Sequence, residues 1–165
     1  MNQKQIIAVI SFVLITAIFV ACSKSNNNTS DPFAATTAQF GAAINFNQPL
    51  NYAHQTIPSY ITKDNTGGNG ISDVKATLGR ILFYDKNLSI NNTVSCASCH
   101  KQEFAFGDTA LVSGGVEGGV TVRHSMRLIN SRFADEVRFF WNERANSLEM
   151  QTTMPMKDHA EMGYS

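Results

Sequence analysis

Two stretches of the chain carry apolar residues at helical spacing. In the first, the positions Val74, Leu78, Ile81 and Leu82 recur at that spacing, with Phe83 beside them, and Ser72 or Asp73 stands where an N-cap belongs. The polar run from Asp85 to Asn92 should break that helix. A second candidate runs from Trp141 to Met154, with Ala145, Leu148 and Thr152 following Trp141 on one side, and Pro155 should end it or begin the next turn. There is no long alternating strand pattern and no internal repeat, so the expected class is all-α with long loops.

The intervening segments are polar. Residues 31–70 hold Pro32, Pro49 and Pro58 among Asn, Gln and Thr, and end in Gly67-Gly68-Asn69-Gly70, which predicts an extended arm contributing little core. The stretch Ser113-Gly114-Gly115-Val116-Glu117-Gly118-Gly119 predicts a mobile loop by composition. At the other extreme, Ile6 to Val20 is uncharged after Lys4, and these 15 residues are too few to span a bilayer comfortably. They fit the hydrophobic region of a signal peptide, which implies export. Ala21-Cys22 resembles a lipobox, with Phe19 where leucine is usual. The expected plan is a lipoprotein-type signal over 1–21, lipidated Cys22, a polar tether and arm over 22–70, and one domain over 71–165. The plainer alternative is an ordinary signal peptide with an incidental cysteine. On the first reading the domain sits on the periplasmic side of a bacterial membrane, held by its lipid.

Charge narrows the partners. Lys and Arg number 13, Asp and Glu 13, and no basic run or stripe with interleaved aromatics appears, so a nucleic-acid partner is excluded. Cys22 aside, the remaining cysteines are Cys96 and Cys99. A disulfide across so small a loop would staple nothing distant. A thioredoxin-like pair belongs in βαβ surroundings that are missing here, and zinc would need ligands that His54, His124 and His159 do not supply at finger spacing. Cys96-Ala97-Ser98-Cys99-His100 instead meets the requirement for covalent haem c attachment: one helical turn offers two thiols to the porphyrin vinyls, and His100 follows to ligate the iron. The other face of the iron then decides between electron carrier and enzyme. Met126, Met150, Met154, Met156 and Met162 offer sulfur ligands, although most methionines are packing. Glu161, with Glu143 and Glu149 as competitors, offers an acid–base carboxylate, although an exposed loop charge is its plainer reading.

The motifs Leu78-Gly79-Arg80-Ile81-Leu82-Phe83-Tyr84-Asp85, Leu88-Ser89, SCASCH and Ala105-Phe106-Gly107-Asp108 resemble the N-terminal half of the bacterial di-haem cytochrome c peroxidase and MauG family. They continue through Phe139-Phe140-Trp141-Asn142-Glu143-Arg144-Ala145, Ser147-Leu148-Glu149, Gln151, Pro155 and Glu161-Met162-Gly163, in family order. The resemblance implies a cytochrome c-like fold with an extended N-terminal arm, and a second haem domain that these residues do not include. It makes His100 the proximal ligand of the peroxidatic haem and places Gln151, Pro155 and Glu161 in its distal pocket, with Glu161 as acid/base. Trp141, otherwise a core aromatic, becomes an electron relay between haems. The implied reaction is reduction of hydrogen peroxide with electrons from a small periplasmic cytochrome c or cupredoxin; a homodimer is compatible with it. The alternatives are a MauG-like oxidase of a protein or organic substrate, and a tethered mono-haem electron carrier. Two departures stand out. Phe-Trp-Asp-Gly-Arg is Phe-Trp-Asn-Glu-Arg here. The asparagine that the resemblance assigns to an inter-haem calcium is His124, which counts against calcium and leaves His124 as a surface residue, a substitute polar contact or a reversible sixth ligand.

Overall fold

The structure, a computed structural model, describes residues 31–136 and 138–164. The signal peptide assigned to 1–21 and the lipidation of Cys22 lie outside them. Among the described residues, four α-helices are joined by loops and short 3-10 turns: α1 (Ala34–Phe40), α2 (Asp73–Tyr84), α3 (Cys96–Cys99) and α4 (Leu148–Lys157). Among the described residues there is no strand, in line with the all-α, cytochrome c-like expectation. Three isolated antiparallel bridges, Lys101 to Gly107, Gly114 to Val120 and Phe139 to Ala145, each close a loop at its base. No helix among the described residues is long and apolar enough to cross a membrane.

Helix α2 starts where its cap predicts: the Ser72 hydroxyl accepts from the Lys75 N–H at 3.2 Å. It ends at Asp85, whose carboxylate accepts from the Asn87 N–H and turns the chain into the next 3-10 turn. The second helix is shorter than its pattern suggested. It begins at Leu148, with the Ser147 hydroxyl accepting from the Met150 N–H, because Phe140 and Glu143 take positive φ (68° and 55°) and the Phe139–Ala145 bridge bends residues 139–145 into a loop. Pro155 does not end α4, which continues to Lys157. It removes only the N–H that would have met the Gln151 carbonyl.

The arm is more structured than its composition predicts. It contains α1, with Phe33 stacked on Phe46, and it is strapped down by polar contacts. Asp73 accepts from the N–H groups of Tyr52 and Ala53 at 2.7 and 2.8 Å, and Asp64 takes Arg132 in a two-pronged ion pair. These bonds hold both carboxylates below their usual range, Asp64 chiefly through Arg132 and Asp73 through the Ala53 and Tyr52 amides. Fully buried apolar residues among those described are few: Val116, Ala145 and Met162. A cavity lined by residues of α2, α3 and α4 lies beside this small core.

Candidate functional site

Helix α3 builds one wall of that cavity. Ser95 and Ser98 form a reciprocal capping box, with the Ser98 hydroxyl accepting from the Ser95 N–H at 3.0 Å, and the His100 N–H returns to the Cys96 carbonyl at 2.9 Å. One turn of helix thus sets the Cys96 and Cys99 thiols three positions apart on one face, and both line the cavity. Burial pushes both thiols up. At Cys99 the Ser113 hydroxyl works against that rise, while Asp108 and Glu161 add to it, so the thiols are neutral at pH 7. His100 closes the turn with its Nδ1 bonded to the Phe106 carbonyl oxygen at 2.9 Å, which makes Nδ1 the protonated nitrogen and leaves Nε2 as the ligand atom.

The loop after His100 is anchored on Asp108, whose side chain is only 4% exposed. Its carboxylate takes the Lys101 ammonium at 2.8 Å and the Ser113 hydroxyl at 2.7 Å, and Ser113 also meets the Ser125 hydroxyl at 2.8 Å. Lys101 first, then Ser113, hold this carboxyl well below the aspartate range.

Opposite α3, helix α4 and the turn behind it supply the second wall. Gln151, Pro155 and Glu161 line the same space as Cys96, Cys99 and His100, with Phe83, Val94, Leu128, Leu148 and Met162 as its apolar sides. Its volume is about 170 Å³, and it shares His100, Gln151, Pro155 and Glu161 with a neighbouring space of about 90 Å³. The neighbouring space is also bordered by His124, Met126, Trp141 and Arg144. Six of the seven residues expected at the haem therefore line one space and Trp141 lines its neighbour, although Cys96 and Glu161 are far apart in sequence. Burial raises the Glu161 carboxyl above its usual value; Asp158 adds to this and Arg144 opposes it.

Trp141 stands at the rim, 59% exposed, its indole N–H donating to the His124 carbonyl at 2.8 Å. It lies on the bridged loop and not on a helix. His124 is half-buried and its Nδ1 contacts the Ala110 carbonyl oxygen at 2.8 Å, so it is a polar wall contact rather than a free surface residue. Glu149 is exposed and bonds Asn69 at 2.8 Å, and neither Glu149 nor Glu143 lines these two spaces. Of the methionines, Met162 and Met126 line them and Met150 does not.

Sequence reasoning missed the glycine loop. The Ser113–Gly119 stretch is packed and bonded: Gly115 N–H meets the Gly119 carbonyl at 2.8 Å, the Val116 N–H meets the Glu161 carbonyl at 3.0 Å, and Val116 is 2% exposed. The signal was there in the glycine pairs flanking Val116-Glu117, where a backbone approached closely by another needs residues without a side chain.

The donor set fits haem c: two neutral thiols one turn apart, an imidazole with Nδ1 already committed, and apolar walls around open space. A family model described as di-haem cytochrome c peroxidase matches residues 73–165. The chain belongs to that family. The family implies haem c as cofactor. Methylamine utilization protein MauG of Methylophilus methylotrophus is 30% identical over 96 residues, covering 58% of this chain and 28% of that protein. Cytochrome c peroxidase Ccp of Escherichia coli K12 is 36% identical over 88 residues, covering 53% of this chain and 18% of that protein. Among solved structures, a MauG-like protein associated with microbial copper homeostasis aligns with TM-score 0.61 and 40% identity, over 68% of this chain and 35% of that one. The diheme peroxidase BthA from Burkholderia thailandensis aligns at 0.52 and 28%, over 56% and 27%. The chain spans roughly a quarter of the length of the first curated relatives it matches.

Proposed function

We propose that this chain encloses the peroxidatic haem of a haem c peroxidase, where hydrogen peroxide is reduced to water with electrons from a small periplasmic cytochrome c or cupredoxin. The observation that carries the reading is the joint lining of one cavity by Cys96, Cys99 and His100 on one wall and Gln151, Pro155 and Glu161 on the other. Cys96 and Cys99 would bind the haem through thioethers, and His100 would ligate the iron through Nε2. The haem iron, when bound, supplies the redox centre for peroxide reduction. Glu161 moves a proton from one peroxide oxygen to the other as the bond between them breaks; its raised carboxyl pKa suits a group that must both take and give a proton. Gln151 orients the peroxide, Pro155 shapes the wall beside it, and Trp141 at the open rim relays electrons from a second haem domain. The protein acts on the periplasmic side of a bacterial membrane, lipid-anchored at Cys22. Calcium is left out of this reading, because His124 stands at the asparagine position.

The decisive experiment is Glu161→Gln in the complete, haem-loaded protein. Haem attachment should be intact and peroxide turnover should fall by about a hundred- to ten-thousand-fold. In the parent protein, turnover should rise with pH across a range above that of an ordinary glutamate, because the base form is needed and burial raises the carboxyl; this rise should be missing in the variant. Normal turnover would remove Glu161 from the mechanism. The 40% identity to a MauG-like protein favours one second reading, oxidation of a protein or organic substrate. Peroxide-driven oxidation of a small cytochrome supports the peroxidase, and rejection of such donors supports the MauG-like oxidase.

A further inference from the structure

The backbone on either side of Glu161 is clamped by the glycine loop. A methyl built on Gly115 would stand 1.8 Å from the Ala160 carbonyl oxygen, and one on Gly119 would stand 2.7 Å from the same oxygen and 3.0 Å from the Ala160 Cα. Only glycines let the two backbones come this close. The Val116 N–H then takes the Glu161 carbonyl at 3.0 Å, while the Ile90 N–H takes the Met162 carbonyl at 2.9 Å. Gly163, at φ 67°, turns the chain against the Val116 and Ile90 side chains. At its near end the same loop reaches the haem-attachment helix, where the Gly114 carbonyl oxygen lies 3.8 Å from Cys99 Sγ. Three successive residues thus touch Cys99, Ala160 and Glu161. The loop is stiffened within itself by the Gly119 N–H to Val116 carbonyl bond at 2.8 Å and the Thr121 N–H to Ser113 carbonyl bond at 2.9 Å.

We propose that Gly115, Val116 and Gly119 are positioning residues for Glu161, setting the distance between its carboxylate and the haem attached at Cys99; this rests on Glu161 acting as acid/base. A general base must stand within hydrogen-bond reach of the proton it moves, and a shift of about 1 Å can cost as much as a hundredfold in rate.

The test is a double-mutant cycle in the complete haem-loaded protein, combining Gly119→Ala with Glu161→Gln, and using exposed Val120→Ala as the control in the same loop. Two readouts are taken: kcat and KM for peroxide, and the rate of cyanide association, which requires hydrogen cyanide to surrender its proton to a nearby base as it binds. Gly119→Ala should lower both kcat and the cyanide rate by about tenfold with KM and haem content unchanged. In the Glu161→Gln background it should add less than about twofold. Equal loss in both backgrounds, or no loss in either readout, overturns the proposal. If Glu161→Gln alone changes nothing, the acid–base reading fails first and this inference falls with it. Should Gly119→Ala fail to retain haem, Val116→Ala carries the same comparison, because it trims the buried side chain that packs against Gly163 while keeping the Val116 N–H bond to the Glu161 carbonyl and placing no new atom against Ala160.

Discussion

Helix α2 and the glycine loop exchange the roles their sequences suggest. The stripe Val74, Leu78 and Leu82, patterned to face a core, is 45%, 48% and 39% exposed, whereas Val116, in a segment patterned to be loose, is 2% exposed. The contrast separates two kinds of information. Periodicity reports that a helix forms and which face is apolar, but not whether the polypeptide at hand covers that face. Glycine content reports freedom in the unfolded chain, yet the same missing side chain lets two backbones touch. Density of packing and regularity of pattern are thus uncoupled here, and the functional wall falls on the irregular side.

The largest effect that would break this contrast is at Gly115. Gly115→Ala should cost about 3 kcal/mol or more and reduce the yield of haem-loaded protein, since the clash is with backbone that cannot rotate away. A melting temperature equal to the parent's would mean the loop is as loose as its composition suggests. Asp108→Asn comes next. Its carboxylate is nearly buried while its partner Lys101 is 37% exposed and can turn to solvent, so the expected loss is about 2 kcal/mol. Because Asp108 is depressed in the fold, its contribution is present above the unfolded aspartate pKa and is lost as pH falls through that range toward its lower folded value. Denaturant midpoints from pH 7 to pH 2 should therefore fall for the parent and stay flatter for the variant. The smallest change is Gly79→Ala, which sharpens the comparison. Gly79 is exposed, and an added methyl meets nothing, so α2 should gain about 0.5–1 kcal/mol in chemical denaturation. A loss instead would show a partner packed against α2 at that point.

Much of the fold was legible where local chemistry acts alone. The Ser72 cap, the Asp85 stop and the turn that pairs Cys96 with Cys99 are short-range events, and each occurs where the residues predict. The start of the second helix was misplaced because Trp141, Ala145 and Leu148 are helically spaced while the Phe139–Ala145 bridge, a tertiary constraint, claims the residues between them. The membership of the cavity wall followed from motif order. The means of holding it did not: the bond from His100 Nδ1 to the Phe106 carbonyl and the contact of Gly115 with Ala160 involve backbone atoms, which every residue shares and no side-chain pattern announces.

The three bridged loops have a consequence for how this wall can vary. Each loop is tied at its own base, at Lys101–Gly107, Gly114–Val120 and Phe139–Ala145, and carries its exposed residues at the tip: Glu103, Glu117 and Asn142. The same ties enclose groups that serve the cavity: the Phe106 carbonyl bonded to His100, the Val116 N–H bonded to the Glu161 carbonyl, and the Trp141 and Arg144 side chains on the wall. Each loop therefore shows one face to solvent and one to the cavity, and a change at an exposed tip residue is tolerated so long as the tie keeps the inward groups in register.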